Sequence, residues 1–140
     1  MRDILFRGKR IDNGEWVEGA FLNDRDGSFY ICPAVSDISH GYCGNSRRIG
    51  CWYKIGPSTV GQYTGLNDKN GKRIFEGDVI KRFWLGAEII YCVRYDGECA
   101  HFIGKAMNKR GFTTFDNDGE MFEVIGNIHD NKLEDFDNGR

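Results

Sequence analysis

TVGQYTGLNDKNGKRIFEGDVI, residues 59–80, decides the reading of this chain. Asn70-Gly71 lies between two apolar runs. Asn-Gly is a strong short-range signal for a β-hairpin, because both residues tolerate the positive φ of a type I′ turn. Glu76-Gly77-Asp78-Val79-Ile80 follows. Glycine permits a sharp bend there, and aspartate can accept backbone N–H groups in the turn, so a new strand opens at Val79.

The same turn chemistry recurs outward in both directions. Asn13-Gly14, Asp26-Gly27, Asp96-Gly97 and Asp118-Gly119 each lie between segments rich in aromatic and β-branched residues. Read as type I′ turns, they predict hairpins along the whole chain. The expected strands cover residues 4–7, 15–22, 28–32, 74–75, 79–84, 88–95, 98–103, 112–115 and 121–128. Ile89-Ile90-Tyr91-Cys92-Val93-Arg94-Tyr95 is nearly continuous in apolar residues, which predicts a strand buried on both faces. No long window keeps a 3.6-residue period. The tail, with Leu133 and Phe136 three apart and Gly139 as a stop, is the one short helix expected.

These readings give a mainly β protein, most simply one compact domain. A hairpin-rich N-terminal layer is expected over residues 1–58, an SH3-like barrel over 59–128 and an acidic tail helix over 129–140. Residues 36–50, SDISHGYCGNSRRIG, have mixed polar composition and no period, and read as a long surface loop.

Three segments together carry a resemblance. Leu5-Phe6-Arg7-Gly8-Lys9-Arg10, the stretch 59–80 and Val124-Ile125-Gly126-Asn127 resemble the YopX family. The segments touch both ends and the middle, so the resemblance covers nearly the whole chain. It implies a protein encoded by a phage or prophage. It carries no functional residue across to this sequence.

Composition narrows the class. With 140 residues the chain can build its own core, so it requires no disulfide staple. Nineteen glycines against two prolines indicate many tight turns. No apolar run is long enough for a membrane helix, and MRDILFRGKR lacks the apolar core of a signal peptide. The expected location is the cytoplasm of a host bacterium, with no membrane partner, and the five cysteines are expected to be reduced there. Net charge is −2, yet residues 46–82 hold eight basic residues against three acidic ones. From Phe115 onward the balance is eight acidic to two basic.

Tests for chemistry fail one by one. Cys32, His40, Cys43 and Cys51 share a segment, but no pair has the short Cys-x2–4-Cys spacing of a zinc site. Cys99 and His101 alternate on an expected strand and supply too few ligands. No metal and no cofactor is therefore expected. Cys43 beside His40, or Cys99 beside His101, could form a thiol–imidazole pair, but an active thiol needs a setting that lowers its pKa. No Gly-x-Ser-x-Gly, His-Glu-x-x-His or phosphate-loop motif occurs. Asp116, Asp118 and Glu120 surround a turn and read as solvated carboxylates.

Binding remains. Three tryptophans, six tyrosines and ten phenylalanines are many for so short a chain, and aromatic surplus often marks an interface. The expected function is a non-catalytic phage or prophage accessory protein. It would act by binding a host or phage protein, or by assembling into a homo-oligomer. A β-barrel that binds nucleic acid through Lys69, Lys72, Arg73, Lys81 and Arg82 is the alternative, because aromatics stand among the cations there. Strand alternation from Val79 puts Val79, Lys81 and Phe83 on one face and Ile80, Arg82 and Trp84 on the other, so each face mixes apolar and basic groups. A small thiol hydrolase using Cys43 or Cys99 is the third reading.

Overall fold

In the computed structural model the described residues are 3–33, 52–115 and 119–131. They form eleven strands in two antiparallel sheets, and the protein is mainly β as its turn pattern predicts. Contacts divide the chain into two compact units, Met1–Gln62 and Tyr63–Arg140.

The first unit holds β1 (Phe6–Lys9), β2 (Trp16–Asn23), β3 (Phe29–Pro33) and β4 (Tyr53–Ile55), in the order β4-β3-β2-β1. Gly61 and Gln62, which open β5 (Gly61–Asn67), add beside Arg7 and Phe6. Phe6, Phe21 and Phe29 stack along one face, each ring centroid 5.2 Å from the next. Ile31 and Ile55 are fully buried. A Cβ at Gly8 would lie 2.2 Å from Ile55 Cγ2, so only glycine lets the first strand pass this isoleucine. The Phe6-Arg7-Gly8-Lys9 segment thus has a packing reason for its composition.

The second unit begins with Tyr63. Here β5 pairs with β6 (Arg73–Phe75), and the hairpin expected at Asn70-Gly71 is present. Gly77, at φ 86, makes the bend before β7 (Asp78–Trp84). Asp78 Oδ2 accepts the N–H of Phe75 at 2.8 Å, as the Glu-Gly-Asp step predicts. Then follow β8 (Ala87–Asp96), β9 (His101–Ala106), β10 (Phe112–Thr114) and β11 (Glu123–Asn127). The strand order is β10-β9-β8-β7-β11. Four strands meander, and the fifth returns to pair antiparallel with the first.

That order could close into a small barrel, but no ladder joins β10 to β11. The expected SH3-like barrel is therefore an open five-stranded sheet. β10 has three residues and pairs only with β9 among the described strands. The expected tail helix falls on residues 132–140, outside the described residues; residues 129–131 form a turn. The loop over 36–50 also lies outside them. Among the described residues, no helix is long and apolar enough to cross a membrane.

The core of this unit lies on one face of the open sheet. Ile80, Ile89, Tyr91 and Val93 meet Ile74, Phe115 and Phe122 there. On the opposite face Val79 and Ile90 form a smaller cluster with Met107 and Ile125. Residues Ile89 to Val93 are all buried, so the central strand is covered on both sides as its apolar run predicts.

The turns depart from the type I′ expectation. Asn13, Asp26 and Asn70 keep negative φ, and only the glycine after each turns positive. Gly27 N–H donates to Asp24 O, and Gly71 N–H to Asp68 O. Each is a three-residue loop with glycine in the left-handed position, a type I turn with a bulge. The loop after Asp96 has four residues, and Ala100, not Gly97, carries the positive φ of 57. β9 consequently starts at His101, and Cys99 sits in the turn instead of on the strand. The true two-residue turn is Leu85-Gly86, at φ 50 and 80, between paired Trp84 and Ala87.

Candidate functional site

Alternation along β7 sends Val79, Lys81 and Phe83 to one face and Ile80, Arg82 and Trp84 to the other. The two core clusters confirm this split, since Val79 and Ile80 belong to different ones. The five expected basic residues are accordingly not one surface. Lys81 Nζ lies 3.7 Å from both Glu88 and Glu123, and Lys69 Nζ lies 3.1 Å from Glu123. Lys72 and Arg73 are exposed around the β5–β6 turn. Lys69, Lys81 and Arg82 line one cleft, where carboxylates accompany the two lysines, while the Arg82 guanidinium itself packs over Trp84 and Phe122.

Asp68 anchors this region. It is almost fully buried. Its Oδ1 accepts the N–H groups of Asn70 and Lys72, and its Oδ2 accepts that of Val124, each at 2.9 Å. Burial pushes the carboxyl up, but the three backbone donors together outweigh it and hold Asp68 below the usual carboxylate range. The Asn70-Gly71 turn is thereby tied to β11.

Beside Lys81, a cleft of about 360 Å³ is lined by Lys69, Lys81, Arg82, Phe83, Glu88, Met121 and Glu123. Phe83 is 69% exposed and Met121 is 47% exposed. Leu85, at the hairpin tip two residues after Phe83, is 89% exposed. This face combines apolar side chains with charges of both signs.

The groove on the other face has a different character. It has a volume of about 340 Å³, and its lining includes Arg82, Trp84, Tyr91, Lys109, Arg110 and Thr113. The Arg82 guanidinium lies 4.3 Å from the Trp84 ring centre and 5.8 Å from that of Phe122. Arg82 Nε is buried without a hydrogen-bond partner. Burial pushes the Tyr91 hydroxyl up, and the Arg82 charge pulls against it. Lys109 and Arg110 stand on the β9–β10 loop. That loop is held to β8 by Met107 N–H donating to Ile90 O and by Asn108 Nδ2 donating to Glu88 O. No carboxylate lines the groove among the described residues.

Alternation along residues 79–84 places Trp84 on the Arg82 face, and the guanidinium does lie over that ring. Sequence reasoning missed Tyr91, Lys109 and Arg110, which come from β8 and the β9–β10 loop and which only the meander brings to Arg82.

Three of the five thiols lie among the described residues, and all three are pushed up. Cys32 and Cys92 are buried, and burial pushes both thiols up. Cys99 is exposed, but the hydrogen bond and negative charge of Asp96 push it up as well. His40, Cys43 and Cys51 lie outside the described residues, so the four-ligand segment is represented by Cys32 alone. Among the described residues, no group of three or more His, Cys, Asp or Glu side chains could hold a metal ion.

A family model described as YopX protein matches residues 5–134. The chain belongs to the YopX family. The match includes both units and every strand from β1 to β11. It thus takes in the Gly8 crossing, the Asp68 anchor and both clefts of this YopX-family chain. A search among curated proteins found no match.

Proposed function

We propose that this YopX-family protein is a non-catalytic accessory protein of a phage or prophage, acting in the host cytoplasm by binding a second copy of itself. The observation that carries the reading is Leu85. It is 89% exposed and held at φ 50 in a type I′ turn. A left-handed conformation costs a non-glycine residue roughly 1–2 kcal/mol, and Asn or Gly would avoid most of it. At 89% exposure, Leu85 returns little packing among the described residues to offset that cost. A strained, exposed leucine two residues from exposed Phe83 suits contact with another surface.

The charges favour a second copy as the occupant. A two-fold interface places one patch against itself, so the patch must be self-complementary. Lys69, Lys81, Glu88 and Glu123 offer both signs around the apolar residues. The raised thiols of Cys32, Cys92 and Cys99 support a role without covalent chemistry.

Size-exclusion chromatography with light scattering tests the proposal on the full chain and on Leu85→Asn. The expected result is an oligomer for the parent chain and a monomer of higher melting temperature for the variant. A monomeric parent chain, or a variant that keeps the oligomer, overturns self-association. Co-elution of the monomer with a host or phage protein would assign the patch to that partner instead.

A further inference from the structure

The face opposite Leu85 and Phe83 bears the groove of Arg82, Trp84, Tyr91, Lys109 and Arg110. We infer that this groove binds single-stranded nucleic acid, with a base on the open side of Trp84 and phosphates on Arg82, Lys109 and Arg110. The inference does not depend on self-association, because Trp84, Lys109 and Arg110 line this groove and not the cleft beside Lys81; Arg82 borders both.

Charge comes first. Three cations line one groove, and no described lining residue is a carboxylate. The cations behind Lys69 and Lys81 are already compensated, whereas these are not. Arg82 stands out because its Nε is buried and unpartnered. A guanidinium normally uses its fork of donors on carboxylate or phosphate. Here aromatic rings hold it in place, Trp84 at 4.3 Å and Phe122 at 5.8 Å, so its charge is positioned without being neutralised.

Shape and aromatic content choose among anions. Trp84 is 48% exposed, so one side of the indole stays open while Arg82 covers the other. Bases stack on such platforms irrespective of their identity. An acidic peptide would satisfy the cations but would leave the indole unused. A volume of about 340 Å³ accommodates a group of nucleotide size, and the groove is open, as a continuous strand requires. Lys109 and Arg110 are exposed on a loop that β8 holds, so they can follow a backbone at the rim.

The test is fluorescence anisotropy of a labelled oligo-dT of twelve nucleotides, titrated with the full chain across a series of salt concentrations. Three phosphate contacts predict a log–log salt slope of about −2 for a single strand. Trp84→Ala should weaken binding by roughly tenfold, the scale of one lost stack. Combined Arg82→Gln, Lys109→Gln and Arg110→Gln should bring the slope close to zero. Lys109 and Arg110 are exposed, so a variant of those two alone keeps the fold and still lowers the slope. Lys72→Gln, at an exposed residue that lines neither cleft, serves as the opposite control and should leave affinity unchanged. No binding at about 50 mM salt overturns the inference. So does loss of binding in the Lys72 control with retention in the groove variants. Equal displacement by poly-glutamate also overturns it, since the groove would then read only charge.

Discussion

Three residues carry most of the local argument. Leu85→Asn should raise stability by about 1 kcal/mol, because asparagine relaxes the left-handed strain at φ 50. Thermal unfolding of the variant checks the sign. Gly8→Ala should cost about 1–3 kcal/mol, since its Cβ would press on Ile55 in a filled site. Denaturant unfolding measures the loss. Asp68→Asn should cost roughly 3 kcal/mol, because an amide cannot accept on both sides the backbone donors that the carboxylate now holds. Asp68 also sets an acid dependence. Its folded pKa lies below the unfolded value near 3.9. Its contribution is therefore complete above about pH 5 and fades as pH falls through the folded pKa. Asp68→Asn should remove that part of the acid dependence, which a pair of pH–stability curves would show.

At the scale of elements, the turns teach the most. Asn-Gly and Asp-Gly located the hairpins, but loop length was decided by the register of the strands they join. Asp24 to Ser28 and Asp68 to Lys72 close three-residue loops, so the left-handed position falls on the glycine alone. After Asp96 the strands pair at His101, and the left-handed position shifts to Ala100. Ala100→Gly should therefore stabilise the β8–β9 hairpin by roughly 0.5–1 kcal/mol, and thermal unfolding would reveal an unchanged or lowered melting point if the strain is absent. In β7 the alternation read from sequence holds residue by residue. Ile80 faces the larger core, and Ile80→Ala should cost about 2–5 kcal/mol, far more than any substitution of exposed Lys72.

For the molecule as a whole, burial predicts an order of stability. β8 is paired on both edges and covered on both faces, whereas β10 has three residues and one neighbour. Native-state hydrogen exchange should find the slowest amides at Ile89 to Val93 and faster ones in β10. The mainly β class and most strands were legible because alternation and turn residues are local signals. β4 and β5 escaped because YKI is too short to show a period and GQYTGLN is interrupted by glycine. Proximity in sequence grouped Lys69, Lys72, Arg73, Lys81 and Arg82, while the fold sets carboxylates beside Lys69 and Lys81 and lays Arg82 over Trp84.

By itself, the sequence determined the strand-rich class, the places where the chain turns back, the doubly buried run at residues 89–93 and the family; Arg94 and Tyr95, which the apolar run also took in, are exposed. The first three follow from the period of side chains along one strand or from the φ preferences of two adjacent residues, and the family from the match over residues 5–134. Only the tertiary structure decided that the sheet stays open, that Leu85 is strained at a bare tip, and that Arg82 meets Trp84, Tyr91, Lys109 and Arg110. Those outcomes depend on which strands pair and in what register, and pairing is set by contacts between residues far apart in the chain.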